Sequence, residues 1–252
     1  DTAWQSMHLT VTNQAGRLLG ALPLYAKYNS LGEFVFDWSW ANAYDRTGLS
    51  YYPKLVSAVP FTPTTGQRLL VAPGSDFGSI APILLNGARE LAEKLHASSL
   101  HILFPTEHER SYLTNKGLLA RKGCQFHWHN HDYRDFDDFL SRLSSAKRKK
   151  VRRERRRVTE AGITFERMLG NQPSTADWEV AFEFYTQTFL RHGHSPYLNR
   201  AFFNEVAQTM PENLLIVFAR YGGRPIATAI CFRDQRTLYG RYWGSLANFH
   251  SL

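Results

Sequence analysis

HLTVTNQAGRLLGALPLY (residues 8–25) and LIVFARYGGRPIATAICF (residues 215–232) share one pattern. In each, a run rich in β-formers meets a turn ending Gly-Arg, at Gly16-Arg17 and Gly223-Arg224, and a second run of small and apolar residues follows. Each reads as strand, turn, strand. The two stretches align at a fixed offset of 207 residues. Composition alone makes hairpins look alike, but a shared Gly-Arg followed by a small-residue strand points to an internal duplication.

Beyond the first hairpin come the aromatic segment GEFVFDWSWANAY (residues 32–44), then YYPKLVSAVPFTP (residues 51–63), a short strand at 68–71 and the turn Pro73-Gly74-Ser75. Ile80, Leu84, Leu85, Ala88, Leu91, Ala92 and Leu95 recur at spacings of three and four, which predicts a helix with one apolar face. A buried strand at 100–104, a helix near 107–119 and a strand through 125–129 are expected next. Strands alternating with helices give an α/β or α+β domain over residues 1–133. The second segment, 134–252, opens with helices. Asp135 can cap FDDFLSRL with Asp138 at its third position, and Ser144 or Ser145 can cap the next helix, which Gly162 stops. On that helix Leu143, Lys147, Val151, Arg155 and Val158 share one stripe. A strand at 163–168, helices at 178–190 and 200–209, the second hairpin and LYGRYWG (residues 238–244) complete the pattern.

The charge is uneven. The chain holds 30 Lys and Arg against 22 Asp and Glu, a net of +8. KRKKVRRERRR (residues 147–157) carries nine positive charges and one negative, so the other 241 residues sum to zero. A helix there is ~16 Å long at 1.5 Å per residue, and charges spread around it cannot all meet one ligand. Like-charge crowding costs helix stability without a counter-charge, so a phosphate-rich partner is expected. The plainer reading is a solvated interdomain helix with Val151 and Val158 packed inward. No aromatic residue interleaves the basic run, which argues against base stacking within it. Apolar residues make up 43% of the chain and aromatic residues 14%, enough for one large core or two ordinary ones. Two distant cysteines, Cys124 and Cys231, suggest no disulfide framework and fit a reducing, cytoplasmic setting. No apolar run approaches the ~20 residues of a membrane span. The first ten residues show no signal-peptide pattern. The chain begins with Asp1 rather than methionine and reads as a fragment.

SSAKRKKVRRERRRVTEAGITFERM (residues 144–168) resembles the joint between the two acyltransferase-like domains of Fem-type proteins. GEFVFDWSWANAYDR, YYPKL with VPFTP, QFHWHN, and PYLNRAFF with TLYGRYWG resemble more closely a bacterial branch of FemAB-like N-acyltransferases associated with peptidoglycan biosynthesis. The matches run in order over essentially the whole chain. The resemblance implies two tandem copies of the GNAT (Gcn5-related N-acetyltransferase) fold, with the second copy incomplete beyond residue 244 and without the long helical arm of some Fem proteins. It implies transfer of an acyl or aminoacyl group from acyl-CoA or aminoacyl-tRNA, as co-substrate, to an amine of a peptide or peptidoglycan precursor. No tightly bound cofactor and no metal are expected. The setting would be cytoplasmic, with peripheral attachment at the inner membrane surface and transient nucleic-acid contact as further expectations.

Within that frame Asp37, set between Phe36 and Trp38 with Trp40 and Tyr44 near, is the first candidate for general base. An aromatic surround disfavours the ionised carboxylate and raises its pKa. The alternative is ordinary aromatic core with Asp37 capping a turn. Trp38, Trp40 and Tyr44 are candidate substrate contacts. His127, His129 and His131 would share one face of a strand, a spacing that metal sites use, yet no second element supplies ligands. The resemblance instead makes His127, Trp128 and Asn130 pocket-lining. It also makes Tyr239 or Tyr242 the proton donor to the leaving group, with Arg241 and Trp243 binding substrate; cross-strand aromatic pairing is the alternative. Lys147, Arg148, Arg152, Arg153 and Arg156 are candidate phosphate contacts. The Pro73-Gly74-Ser75 turn is a further candidate for pyrophosphate, though it lacks glycine-rich spacing. No Ser/His/Asp or Cys/His set suggests a covalent intermediate, so direct aminolysis is expected. A non-catalytic scaffold presenting the basic helix to RNA or anionic lipid is the competing class.

Overall fold

The computed structural model of the chain describes residues 3–246. β1 (Gln5–Ser6) leads into the first duplicated stretch, which folds as the antiparallel pair β2 (Leu9–Thr12) and β3 (Leu18–Leu22). The chain continues through β4 (Tyr25–Lys27), α1 (Trp38–Arg46), β5 (Lys54–Ser57), β6 (Leu70–Val71), α2 (Phe77–Lys94), β7 (Leu100–Ile102) and α3 (Glu107–Asn115). Then come α4 (Phe136–Ser141), α5 (Ser145–Glu160), β8 (Ile163–Leu169), α6 (Thr175–Arg191) and α7 (Arg200–Thr209). β9 (Leu214–Tyr221), β10 (Arg224–Arg233) and β11 (Leu238–Ser245) follow. The architecture is mixed α/β. Two units separate, Asp1–Phe126 and His127–Leu252. The sequence pattern predicts the second segment as 134–252, of which residues 247–252 lie outside the described residues.

In the first unit, strands in the order β1-β4-β5-β7 form one sheet, and β2-β3-β6 a second. Only β5 and β7 run parallel; the other pairs are antiparallel. α2 buries Ile80, Ala81, Leu84, Leu85 and Ala88, the face that the three-and-four spacing predicts. These residues meet Leu22, Leu24, Ala26, Leu55 and Leu69 in one core. Asp76 caps the helix through Ser79 N, 2.8 Å away. Alternation along a strand sends Ala26 and Leu55 toward α2, so Lys27, Lys54 and Val56 face away from it. That opposite face has its own small cluster of Trp4, Val56, Ala58 and Leu103.

The second unit carries one antiparallel sheet, β11-β10-β9-β8. α6 and α7 cover one face with Trp178, Ala181, Tyr185, Phe203 and Ala207 against Ile216, Phe218 and Ile230. A smaller cluster of Val158, Ile163, Ala219, Ile226 and Ala227 joins the end of α5 to the sheet. Ser144 is the residue that caps α5, and Gly162 follows it at φ +73°. The two Gly-Arg turns match at their shared glycine but not in loop length. Gly222 is left-handed too, at φ +54°, and Tyr221 pairs with Arg224. In the first hairpin Asn13 N donates to the Arg17 carbonyl across a loop one residue longer. Gly16 and Gly223 both take φ +77°, where a side chain is disfavoured. The ladder of each hairpin skips one residue of its second strand, Leu19 in one and Ile226 in the other, again 207 apart.

One predicted element is absent. Residues 119–133 form no helix or strand, so the strand expected at 125–129 does not exist. β-rich composition there is not met by any pairing partner. The expectation that His127, His129 and His131 share a strand face falls with it.

Candidate functional site

The register of β4 on β5 sets Lys27 directly opposite Lys54. Both side chains are fully buried. Facing like charges destabilise a strand pair, and a buried ammonium needs partners. The loop before α1 supplies them. Lys54 Nζ donates to Glu33 Oε2 at 2.8 Å, Ser30 Oγ at 2.8 Å and Asp37 Oδ2 at 2.5 Å. Lys27 Nζ donates to the Leu31 carbonyl at 2.8 Å and lies 4.0 Å from the centroid of the Trp4 ring. Tyr51 Oη donates to Asp37 Oδ2 at 2.7 Å and lies 3.4 Å from His101 Nε2, which also meets Ser99 Oγ at 2.7 Å. Two lysines thus balance two carboxylates in a buried cluster. One oxygen of each acid, Glu33 Oε1 and Asp37 Oδ1, is buried without a hydrogen-bond partner among the described residues. Between the acids Phe34 takes φ +57°, a conformation that costs about 1–3 kcal/mol in a non-glycine residue.

The electrostatics correct the sequence reading of Asp37. Burial pushes its carboxyl up, but hydrogen bonds from Lys54, Ser30 and Tyr51 outweigh it and hold the group below the ordinary range. Nor does the expected aromatic surround exist. Phe36, Trp38 and Trp40 are exposed, and α1 has no buried residue. Only Tyr44 reaches the cluster, ring edge to face with Tyr51 at 5.2 Å. Glu33 is the acid whose pKa is raised, chiefly by burial, against the pull of Lys54. Burial lowers Lys27 to about 8 and His101 to about 4. Asp37 is the N-cap residue of α1, yet its side chain makes no capping hydrogen bond.

The other expected residues lie in the second unit. β11 pairs with β10 so that Tyr242 faces Ile230 and Gly240 faces Cys231, which leaves Arg241 in a bulge. The Tyr242 ring meets Tyr185 at 4.8 Å, its hydroxyl is buried, and burial raises its pKa. The Arg241 guanidinium sits 4.9 Å from the Tyr242 ring. Tyr239 is half exposed and donates to Asp234 Oδ2 at 3.2 Å; Trp243 is half exposed as well. His127, Trp128 and Asn130 lie in the irregular segment. Trp128 and Asn130 line a pocket of about 460 Å³ with Tyr133, Asp135, Phe136 and Phe139, and His127 is not among its lining residues. The His127 and His129 rings are 6.1 Å apart, and among the described residues no three His, Cys, Asp or Glu side chains are grouped to hold a metal ion. Lys147, Arg148, Arg152, Arg153 and Arg156 all lie on α5, whose one buried residue is Val158.

A family profile described as peptidoglycan biosynthesis/recognition, FemAB-like, matches residues 1–252. The chain belongs to the FemAB-like family. No curated protein matches this FemAB-like chain. Among solved structures it is similar to the C-terminal domain (DUF2156) of a protein from Agrobacterium fabrum described as a lysylphosphatidylglycerol synthetase. Identity is 11% and the TM-score 0.48, over 99% of this chain and 63% of that one. The FemAB-like chain therefore spans less than two thirds of that structure.

Glu33, Lys54, Lys27, Ser30, Tyr51 and His101 are not among the residues the sequence alone points to. Their signal was a charged residue inside an apolar strand run, Lys27 in LYAKY and Lys54 in PKLVS. Period-two alternation assigns such a lysine to a face, but the loop acids that neutralise it are 17 to 21 residues away from Lys54 and follow no spacing rule.

Proposed function

We propose that the chain is an N-acyltransferase built from tandem GNAT-like copies. It moves an acyl or aminoacyl group from acyl-CoA or aminoacyl-tRNA onto an amine of a peptide or peptidoglycan-type substrate, in the cytoplasm and at the inner membrane surface. The observation that carries the reading is the buried Glu33–Lys54–Asp37 cluster in a FemAB-like chain. Clusters of perturbed titratable groups of this kind are enriched at catalytic sites. The equal conformations of Gly16 and Gly223 and the skipped residues of the two hairpins support the two-copy reading.

In direct aminolysis the amine nitrogen forms a bond to the acyl carbon while the bond from that carbon to the donor's sulfur or oxygen breaks. The amine loses a proton, and the departing thiolate or alkoxide gains one. Glu33, with its raised pKa and one free oxygen, is the better-suited acceptor of the amine proton. Asp37 stays ionised and fixes Lys54 and Tyr51. Trp38, Trp40 and Tyr44 on exposed α1 contact the acceptor. Within the second unit, Tyr242 or Tyr239 is the proposed proton donor, with Arg241 and Trp243 as proposed substrate contacts. A second reading has one observation in its favour: the cations of α5 stand on a solvent-facing helix. There the chain is a non-catalytic scaffold that holds RNA or anionic lipid through α5.

Native mass spectrometry with acyl-CoA and aminoacyl-tRNA, paired with a transfer assay, separates the two. Glu33→Gln and Asp37→Asn should each abolish transfer and leave donor binding intact. If wild-type protein binds neither donor, and replacing Arg152, Arg153, Arg155 and Arg156 by Gln removes the only measurable binding, the scaffold reading stands instead.

A further inference from the structure

The basic run of the sequence contains no aromatic residue, but the fold brings aromatics to it. Arg148, Arg152 and Arg155 recur at spacings of four and three, and so form one stripe of α5. This stripe lies along α4. Arg148 donates to the Ser141 carbonyl at 3.3 Å, Arg152 pairs with Asp137 at 2.9 Å, and the Arg155 guanidinium stacks 4.1 Å from the Phe136 ring. Phe136 is also a wall of the 460 Å³ pocket, with Phe139, Tyr133 and Trp128. The rings brace one another: Trp128 is 6.0 Å from Tyr133 and from Phe139, and Tyr133 is 5.5 Å from Phe139. Trp128 is nonetheless 64% exposed, a large aromatic face left to solvent.

An aromatic bowl accepts either a cation or a flat ring. Charge decides between them. Asp135, the one acid lining the bowl, is engaged as the cap of α4, accepting from Asp138 N at 2.8 Å. Among the described residues Lys147, Lys149 and Arg153 of the neighbouring helix pair with no carboxylate. A free cation would be repelled, whereas a ring carrying an anion would be held twice. We infer that the Trp128–Tyr133–Phe136–Phe139 bowl and the Arg152–Arg155 stripe form one nucleotide-binding site, the base stacked in the bowl and its phosphate on the arginines. Asn130, at the rim, offers the donor and acceptor that a base edge needs. Arg152 can hold Asp137 and a phosphate together, because its guanidinium has five donors. The site lies wholly in the second unit and stands whether or not the chain transfers an acyl group.

Calorimetric titration of the full chain tests this, with adenosine monophosphate, adenosine, inorganic phosphate, choline and a single-stranded RNA tetramer as probes. The monophosphate should bind at least about tenfold more tightly than adenosine or phosphate, since each holds only half of the site. Trp128→Ala should weaken the monophosphate about tenfold and leave phosphate unchanged, in line with the usual worth of base stacking. Arg152→Gln with Arg155→Gln should weaken the monophosphate and flatten its salt dependence, leaving adenosine unchanged. An RNA tetramer that binds more tightly than the monophosphate, with the same loss in Trp128→Ala, supports the site and identifies its source as RNA. Equal or weaker binding of the tetramer supports a free nucleotide. The inference is overturned if the monophosphate binds no better than phosphate, if choline binds better than either, or if Trp128→Ala has no effect. The wild-type comparison needs no variant, so a folding defect cannot mask the answer.

Discussion

Lys54 holds together a cluster that its own strand would otherwise expel. Lys54→Met keeps the volume and removes the charge, leaving Glu33 and Asp37 buried with no cation between them. Breaking a buried pair in this way costs about 3–5 kcal/mol, and urea unfolding at neutral pH should show a loss of that order. Adding Glu33→Gln and Asp37→Asn should recover most of it, because what is costly is the unpaired charge rather than the missing contact. His101 yields a prediction in pH. Its folded pKa of about 4 lies below the usual 6.5, chiefly through burial. Below pH 6.5 the unfolded chain takes up a proton that the folded one refuses, so the His101 contribution falls as pH drops from 6.5 toward 4 and is flat above. Stability profiles of wild type and His101→Gln should therefore converge or cross toward pH 4 and run parallel above pH 6.5. Equal slopes throughout would show that His101 titrates normally. At this scale the sequence spoke only in part. Asp37 was legible as a carboxylate in an unusual setting, but its sign of shift was not, since Lys54, Ser30 and Tyr51 reach it only through tertiary contact.

Elements were more legible than residues, because helix faces and caps are local. α2, α5, α6, α7 and both hairpins follow from periodicity, cap residues and Gly-Arg turns. The strand expected at 125–129 failed since a strand needs a neighbour, and alternation of polar and aromatic residues cannot supply one. Two substitutions test how α6 is held. Ser174 Oγ accepts from Asp177 N at 3.1 Å, and Ser174 N donates to Asp177 Oδ2 at 3.1 Å, closing a capping box. Ser174→Ala should cost about 1 kcal/mol. Gly244 is where β11 passes closest to α6: a Cβ there would stand 2.2 Å from the Phe184 carbonyl oxygen. Backbone cannot yield as a side-chain tip can, so Gly244→Ala should cost more than the cap, about 1–3 kcal/mol. Thermal melts of the two variants give the order, and an equal or smaller loss at Gly244 would mean that the strand can shift.

Taken whole, the chain is neutral apart from residues 147–157 of α5, and no described helix is long and apolar enough to cross a membrane. Its ion-exchange behaviour should follow α5 alone. Replacing Arg152, Arg153, Arg155 and Arg156 by Gln halves the formal charge from +8, and cation-exchange elution should move to far lower salt. Replacing Arg89, Arg110, Arg200 and Arg224 removes the same charge from scattered positions and should move it much less. The facing lysines of β4 and β5 also bear on how the chain finds its fold. Side chains alternate strictly along a strand, so sliding β5 by one residue would turn Lys54 into the oily side, among Leu84 and Leu85, and bring Leu55 to the acids. Sheets of uniform Val and Leu tolerate such slips and can mature into mispaired, aggregation-prone forms. Here a mistaken alignment strands the Lys54 ammonium in oil and leaves two carboxylates beside leucine, so the pairing proofreads itself during folding.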